Sequence, residues 1–222
     1  MHIIAHIRSD FKTKFGIPRQ SGLIDALTAE IVFEPEYRDI NALRGLDGFS
    51  HIWLIWQFSQ AVREGWSATV RPPRLGGNER MGVFATRSPF RPNEIGLSAV
   101  RLLGIVPDTP EGPVIRVAGA DLMDGTPIFD IKPYIPYADA HPEASYGFAP
   151  PPETRVLSVD FPPALLALVP PDKQQALIAV LAQDPRPRYQ NEPTRQYGMT
   201  FAGLEVRFRV ADDQLTVTEI LK

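Results

Sequence analysis

The stretch LLGIVPDTPEGPVIRV, residues 102–117, holds two apolar, β-branched runs on either side of a turn-forming segment. Four residues give that segment its turn character: Pro107, Asp108, Pro110 and Gly112. Proline, aspartate and glycine each favour turns for their own conformational reasons, so the stretch predicts a β-hairpin. A long sheet exposes its edge strands unless it closes on itself, and we therefore expect the strands to form a barrel.

Segments of the same kind occupy the chain on both sides of the hairpin, up to about residue 145. They are rich in β-branched and aromatic residues and are bounded by Gly, Pro, Asn or Asp. Beside the hairpin strands GLSAVRLLGIV (96–106) and PVIRVAGADLM (113–123), they are HIIAHI (2–7), AEIVFEP (29–35), FSHIWLIWQFS (49–59) and ATVRPP (68–73). This pattern predicts a mainly β fold, with a β-barrel as the N-terminal domain, residues 1–145. No GxGxxG follows a strand, so a Rossmann-type nucleotide site has no support.

A connector and a second, smaller domain are expected after the barrel. YADAHPEASYGFAPPP, residues 137–152, is rich in proline and small residues, which suits an exposed linker. Residues 154–222 contain two short helical patterns, which end near Val169 and at Asp184 before prolines. The strands MTFAGLEVRFRV and LTVTEI then flank the turn ADDQ. We expect a small α+β C-terminal domain that binds substrate and is too small to be very stable unless it docks on the barrel.

Composition narrows the possible functions. The 222 residues are 44% hydrophobic and carry a formal net charge of −3, so the chain is not a polycation that coats nucleic acid indiscriminately. The absence of cysteine excludes disulfides and a cysteine nucleophile, and four scattered histidines make a metal site an unfavourable hypothesis. No run of 18 apolar residues suggests a membrane span. We expect a cytoplasmic protein without metal.

A local cluster of arginines predicts an anionic ligand. Between Thr69 and Pro92 the chain has a single acid, Glu79, and five arginines: Arg71, Arg74, Arg80, Arg87 and Arg91. The guanidinium group presents a planar fork of donors that matches phosphate or carboxylate. Each arginine alone is equally compatible with a surface ion pair. The set, together with the stiff diproline and flexible diglycine of RPPRLGGNERMG, favours a phosphate-bearing or carboxylate-bearing partner.

Three other segments carry candidate chemistry. In GIPRQSG, Arg19 and Gln20 offer donors to a carboxylate or to the edge of a base. His51 lies in an apolar run, where a core histidine is the alternative interpretation. In DLMDGTPIFDIKPY, Asp124 and the glycine after it indicate a turn between two strands, but the further acids of the segment, including Asp130, exceed what a turn requires.

Several long motifs resemble those of the TsaA-like family, also called TrmO, of S-adenosylmethionine-dependent tRNA methyltransferases. The motifs are IPRQSG, GFSHIW, RPPRLGGNERMGVFATRSPFRPNEIGLS and DLMDGTPIFDIKPYIPYA, and the resemblance covers about Ile7 to Ala138. AQDPRPRY and the strand pair after it are similar to the C-terminal part of bacterial members. The resemblance implies methyl transfer to N6 of N6-threonylcarbamoyladenosine, next to the anticodon of a threonine tRNA. It also implies a homodimer built on a single antiparallel β-barrel.

The resemblance also implies a set of residues for binding S-adenosylmethionine. Matched to the family motifs, these are Pro18, Arg19, Gln20, Ser50, His51, Arg87, Leu122, Asp124, Gly125, Thr126 and Pro127. Glu94 departs from the family pattern, where some members have proline. The attacking N6 is a poor nucleophile, so a proton acceptor would help. We favour Asp130 for that role, with His51 and Tyr134 as alternatives.

The remaining arginines, Arg71, Arg74, Arg80 and Arg91, are expected to bind phosphates of the tRNA anticodon loop, since phosphate contacts fix register without reading sequence. Two other functions stay open at this point. One is a non-catalytic RNA-binding β-barrel, and the other is a methyltransferase of the same family with a different substrate. Because every matched cofactor segment precedes the connector, a chain ending near residue 150 is expected to fold and bind the cofactor.

Overall fold

The computed structural model of the chain describes residues 1–72, 75, 79–149, 156–186, 192 and 194–222. The strands in these ranges are β1 Ala5–Arg8, β2 Thr28–Phe33, β3 His51–Gln57, β4 Thr69–Val70, β5 Met81–Gly82, β6 Ile95–Val106, β7 Val114–Ala118, β8 Pro127–Pro133, β9 Ser158–Asp160, β10 Tyr197–Phe201, β11 Leu204–Ala211 and β12 Gln214–Leu221. The helices are α1 Pro136–Asp139, α2 Pro163–Leu166 and α3 Pro171–Ala182. Short 3₁₀ turns occupy Pro35–Tyr37, Ile40–Leu43, Leu46–Gly48 and Val83–Ala85.

Six strands close into an antiparallel barrel in the order β1-β2-β7-β6-β3-β8. The hairpin predicted at residues 102–117 forms the β6–β7 pair of the barrel, in which Ile105 lies opposite Ile115. Alternate residues of each strand point inward, as the period of two requires, and Ile31, Ile52 and Leu54 are fully buried inside. The prediction of a mainly β fold with a single antiparallel barrel is confirmed.

The turn at Asp124 and Gly125 differs from a hairpin turn. The chain does turn there, and Gly125 has φ 76°, a left-handed conformation that favours glycine. The strands on either side, β7 and β8, are not neighbours, because β8 pairs with β1 and β3 instead. Barrel closure explains why β7 and β8 do not pair, since β8 lies between β1 and β3.

The C-terminal part is a four-stranded sheet, in the order β10-β11-β12-β9, with α3 packed on it. The two short helices lie where the sequence predicts them. MTFAGLEVRFRV, however, is two strands and not one: Ala202 and Gly203 form a two-residue turn, with φ 50° and 79°. Positive φ at both positions is typical of a type I′ hairpin turn, and alanine at the first of them gives no warning of it.

The segment between β1 and β2, residues 9–27, packs against the C-terminal part. Phe11 is buried in its core and meets Phe201 edge to face, with ring centroids 5.4 Å apart. Lys173 of α3 donates to Asp10 over 2.7 Å, and both side chains are largely buried. The C-terminal part therefore supports a segment of the N-terminal part, and the domain boundary at residues 145–154 stays a prediction.

Candidate active site

A cleft of about 480 Å³ opens beside the barrel, at the C-terminal end of β3 and the N-terminal end of β6. The walls also include residues 17–20, 58–61, 86–91 and 121–126. The predicted site residues that line it are Pro18, Arg19, Gln20, Arg87, Arg91 and Thr126. Segments far apart in sequence therefore converge here. Lys14, Ile17 and Leu97 also line the cleft and are not among the predicted residues.

A buried chain of hydrogen bonds forms one wall of the cleft. The Trp56 indole N–H donates to Ser98 Oγ over 3.0 Å, and the Ser98 hydroxyl donates to Asp121 Oδ1 over 2.6 Å. Trp56 lies directly against Gly96, where a Cβ would come within 2.3 Å of the indole ring. Glycine is therefore required at that position, and the chain of bonds holds the Asp121 carboxylate in one orientation.

Asp121 is the one carboxylate among the described residues that line the cleft. Burial raises its pKa above the ordinary value, while hydrogen bonds from Ser98 and from backbone N–H groups and the positive charge of Arg87 oppose the rise. A carboxyl group with a raised pKa in a cleft is typical of a functional site. Sequence reasoning noted the acids of this segment and favoured Asp130. Asp121 differs from Asp130 in its hydrogen bond from Ser98, which lies 23 residues away on another strand.

The rim of the cleft joins two of the matched motifs. Arg87 donates from Nη1 to Gln20 Oε1 over 2.5 Å, across 67 residues of sequence. Gln20 in turn donates to the carbonyl oxygen of Arg19 over 2.5 Å. The Arg87 side chain remains exposed at the rim, so its other donors are accessible to an anion.

Four residues of the DLMDGTP motif shape the cleft without lining it. Leu122 is 1% exposed and belongs to the barrel core. The Asp124 carboxylate accepts from the Lys12 ammonium over 2.5 Å, which ties the turn to the β1–β2 segment. Gly125 provides the positive φ of the turn, and Pro127 begins β8. These residues fix the position of Thr126, which does line the cleft.

Ser50, His51 and Tyr134 lie at the other end of β3. Ser50 Oγ is 2.9 Å from His51 Nδ1, and the His51 and Tyr134 rings are 6.1 Å apart. Gln57, at the opposite end of the strand, lines the cleft. At about 3.3 Å per residue, roughly 20 Å separates His51 from Gln57 along the strand. Within one chain, the serine–histidine pair and the cleft are therefore apart.

Asp130 lies on the outer face of the barrel. Its Oδ2 is 2.9 Å from Lys132 Nζ, and both side chains are exposed. Asp130 lies opposite Ile55, and Ile55 lies opposite the cleft residue Leu97. Two strand spacings, about 10 Å, thus separate the backbone of Asp130 from that of Leu97.

The four predicted phosphate-binding arginines have different surroundings. Arg71 is exposed, and the exposed Arg80 donates from Nε to Thr69 Oγ1 over 2.8 Å. Arg91 is half-buried, and its Nη1 donates to the carbonyl oxygens of Val83 and Thr86 over 3.1 and 2.7 Å. Arg91 therefore stabilises a turn as well as lining the cleft. Arg74 lies outside the described residues.

Two features are absent from the ranges that the structure describes. No helix there is both long and apolar enough to cross a membrane. No group of three or more His, Asp or Glu side chains in the same ranges could hold a metal ion.

Comparison with known proteins gives consistent matches over the whole chain. The family model for the tRNA-methyltransferase O N-terminal domain matches residues 6–140, and the model for the TrmO C-terminal domain matches residues 155–222. An Escherichia coli K12 protein named tRNA (adenine(37)-N6)-methyltransferase is 44% identical over 217 residues, which cover 94% of this chain and 92% of that protein.

A Pseudomonas aeruginosa PAO1 protein named putative S-adenosylmethionine-dependent methyltransferase RcsF is 43% identical over 216 residues, covering 92% of this chain and 90% of that one. A crystal structure of TrmO from Pseudomonas aeruginosa is similar over 100% of this chain and 98% of its own, with a TM-score of 0.78 and 35% identity.

Proposed function

Because the chain belongs to the tRNA-methyltransferase O family, we propose that it methylates N6 of N6-threonylcarbamoyladenosine, next to the anticodon of a threonine tRNA. The chain is an S-adenosylmethionine-dependent tRNA methyltransferase that acts on N6 of adenine 37. The threonylcarbamoyl group on that adenine and the identity of the tRNA are the proposed parts. The observation that carries the proposal is the cleft, where three of the four matched motifs converge around Asp121 and Arg87.

The donor set of the cleft fits S-adenosylmethionine. The volume of the cleft is in the range typical of small-molecule sites. The guanidinium of Arg87 suits the methionine carboxylate, and Ile17 and Met123 provide apolar surface for the rest of the molecule. When bound, the cofactor supplies a methyl group on a sulfonium. The main task of the chain is to hold N6 in line with that methyl group near contact distance.

Methyl transfer breaks the bond between sulfur and the methyl carbon, forms a bond between that carbon and N6, and leaves N6 with a proton to lose. In N6-threonylcarbamoyladenosine a carbonyl group on N6 withdraws the lone pair, so a proton acceptor helps. Asp121 is the proposed acceptor because it lines the cleft and is held by Ser98. Asp130, with His51 and Tyr134, is the alternative, and these residues would act from the outer face of a second copy.

A homodimer is part of the proposal. The outer face of β6 exposes Leu97 by 53% and Leu103 by 40%, and it is continuous with the cleft through Leu97. Apolar side chains aligned on a sheet face favour burial against another surface. A two-fold axis at this face would bring the Ser50 and His51 end of one barrel towards the cleft of the other. Such a dimer accounts for cofactor motifs that lie about 20 Å apart in one chain.

Mixing two impaired variants tests the shared site. Arg87→Ala and His51→Ala each impair both sites of their own homodimer, but a mixed dimer retains one intact site if the two residues come from different copies. At a cofactor concentration near the parental Kd, we expect the mixture, after dissociation and reassociation, to show a higher rate of methyl transfer than either variant alone. If a mixture shown to contain mixed dimers recovers no activity, both residues belong to the same site of one chain.

Loss of the rim guanidinium should weaken cofactor binding. A lost charge-assisted hydrogen bond is worth roughly 1.5 to 3 kcal/mol, so Arg87→Ala should raise the Kd for S-adenosylmethionine by about 10- to 100-fold. Isothermal titration calorimetry measures this, and circular dichroism checks that the barrel is intact. Arg80→Ala, an exposed arginine outside the cleft, is the control and should bind with the parental affinity. Unchanged binding by a folded Arg87→Ala variant would remove Arg87 from the site.

Nucleoside mass spectrometry tests the proposed substrate. We expect tRNA from cells lacking the protein to lose the N6-methylated form of threonylcarbamoyladenosine and to accumulate the unmethylated form. The same proposal places the protein in the cytoplasm, bound to the anticodon loop. A non-catalytic RNA-binding barrel would leave the modification unchanged, and a family member with another substrate would remove a different methylated nucleoside.

A further inference from the structure

Three aromatic side chains are exposed beside the cleft. Trp66 is 55% exposed, Phe84 71% and Phe90 38%. The Trp66 and Phe84 rings are 5.9 Å apart, with their planes inclined by 31°. We refer to these three residues as the aromatic platform. Isolated exposed apolar residues are common, but aromatic side chains grouped on one surface indicate a binding site.

Arginines accompany the platform. The Arg63 guanidinium carbon lies 3.7 Å from the centroid of Phe90, and that of Arg91 lies 5.8 Å from the centroid of Phe84. These are cation–π distances. Aromatic rings interleaved with arginines are typical of surfaces that bind single-stranded nucleic acid, where rings stack on bases and cations contact the backbone.

The platform is exposed but anchored. Phe84 lies in the turn Val83–Ala85, and Arg91 donates to the carbonyl oxygens of Val83 and Thr86 in that turn. Val83 itself is 1% exposed, and its N–H donates to the carbonyl oxygen of Ala68 over 2.9 Å. A ring held in place before binding loses less conformational freedom when it meets a ligand.

The platform is also continuous with the cleft. Arg87 and Arg91 line the cleft; the guanidinium carbon of Arg91 lies 5.8 Å from the centroid of Phe84, and Phe90 directly precedes Arg91 in sequence. A base held in the cleft would therefore have its flanking nucleotides over this surface. Sequence-specific RNA recognition commonly uses unstacked loop bases that stack on aromatic side chains.

Charge selects among the possible occupants. Residues 62–91 contain six arginines and two glutamates. A second copy of the chain docking here about a two-fold axis would bring like charges together. An RNA loop presents phosphates and bases, which match both the arginines and the rings. We propose that Trp66, Phe84 and Phe90 stack the anticodon-loop bases that flank the target adenine, an inference that rests on the proposed function.

Aromatic and non-aromatic substitutions separate stacking from simple apolar contact. The probe is an anticodon stem-loop RNA that carries N6-threonylcarbamoyladenosine, and its affinity is measured by fluorescence anisotropy. Trp66→Ala and Phe84→Ala should each weaken binding by about 10- to 100-fold, and Phe84→Leu nearly as much. Phe84→Tyr, which keeps the ring, should bind close to the parent. Tyr137→Ala removes a ring that is 90% exposed outside the platform and is the control.

Loops with a single abasic nucleotide identify the stacked base. Removing the base that stacks on Phe84 should weaken binding to the parent, and Phe84→Ala should then cause no further loss, since the two changes delete one contact. Loss of a ring should leave the slope of log affinity against log salt unchanged. Arg71→Ala should reduce the magnitude of that slope by about 0.7 if Arg71 contacts a phosphate of a single-stranded region.

The outcomes distinguish the platform from the proposed function. If the parental chain neither binds nor methylates the stem-loop, the proposed function fails. If the parent does both and the Trp66→Ala and Phe84→Ala variants match it, the platform is wrong. Analytical ultracentrifugation completes the test, because variants that become monomeric would identify the platform as a contact between copies.

Discussion

Replacing Asp121 by asparagine is expected to lower kcat for tRNA methylation by about 10²- to 10⁴-fold, the usual contribution of a positioned general base. Asparagine keeps the shape of the side chain and can still accept the Ser98 hydroxyl hydrogen bond, but it cannot take up the N6 proton. Cofactor affinity should not weaken, since loss of the carboxylate removes a negative charge near Arg87. Single-turnover kinetics with saturating cofactor measure the chemical step separately from binding.

The pH profile adds an independent signature. A proton acceptor works only when it is deprotonated, so the parental rate should fall as the pH falls through the pKa of Asp121. Because burial raises that pKa, the fall should occur at higher pH than the value near 4 of an ordinary aspartate. Asp121→Asn should lose this limb of the profile.

Asp130→Asn is the matched control, because it makes the same chemical change in an exposed aspartate paired with Lys132. We expect it to retain most of the parental kcat. The opposite pattern, with Asp121→Asn active and Asp130→Asn inactive, would transfer the role of proton acceptor to Asp130.

Ending the chain after Ala149 is expected to abolish high-affinity cofactor binding, which reverses the expectation drawn from the position of the matched motifs, all of which precede that point. The reason is the shared core: Phe11, Ile24 and Leu27 of the β1–β2 segment are buried with the C-terminal sheet. Exposing a large buried apolar side chain costs about 1.5 to 3 kcal/mol, which for these residues together is comparable to the stability of a domain. The same segment carries Arg19 and Gln20, so the rim of the cleft would lose its support.

Calorimetry with S-adenosylmethionine and thermal unfolding measure the effect of the truncation. A full-length Phe201→Ala variant is the companion, since it removes the ring that contacts Phe11 and should cost about 3 to 5 kcal/mol without shortening the chain. A soluble truncated chain that binds the cofactor with parental affinity would show instead that the barrel is independent of its C-terminal partner.

The barrel was predictable because its information is local. Strand after strand has the alternation and the turn residues that define it, and the hairpin of residues 102–117 forms as its sequence indicates. The order of the strands in the barrel was harder to predict from the sequence. The turn at Gly125 has the composition of a hairpin, yet β8 pairs across the barrel with β1 and β3. Closure is a property of all six strands together, and no single segment encodes it.

The candidate site shows the same division between local and global information. The motif with Arg19 and Gln20 and the motif with Arg87 do meet at one rim. Asp121 could not be separated from the other acids of its segment, because its burial depends on Trp56 and Ser98 from two other strands. His51 lies in a matched motif but at the far end of β3, since strand length and not sequence pattern sets its distance from the cleft.

The proposed substrate is tested most directly by methylation of two otherwise identical threonine tRNAs in vitro, one with and one without the threonylcarbamoyl group on the adenine next to the anticodon. Purified chain, labelled S-adenosylmethionine and nucleoside mass spectrometry of the product locate the methyl group. We expect stoichiometric methylation at N6 of the modified tRNA and no methylation of the unmodified one. Equal methylation of both tRNAs, or a methyl group at any other position, would contradict the assignment of N6-threonylcarbamoyladenosine as the substrate.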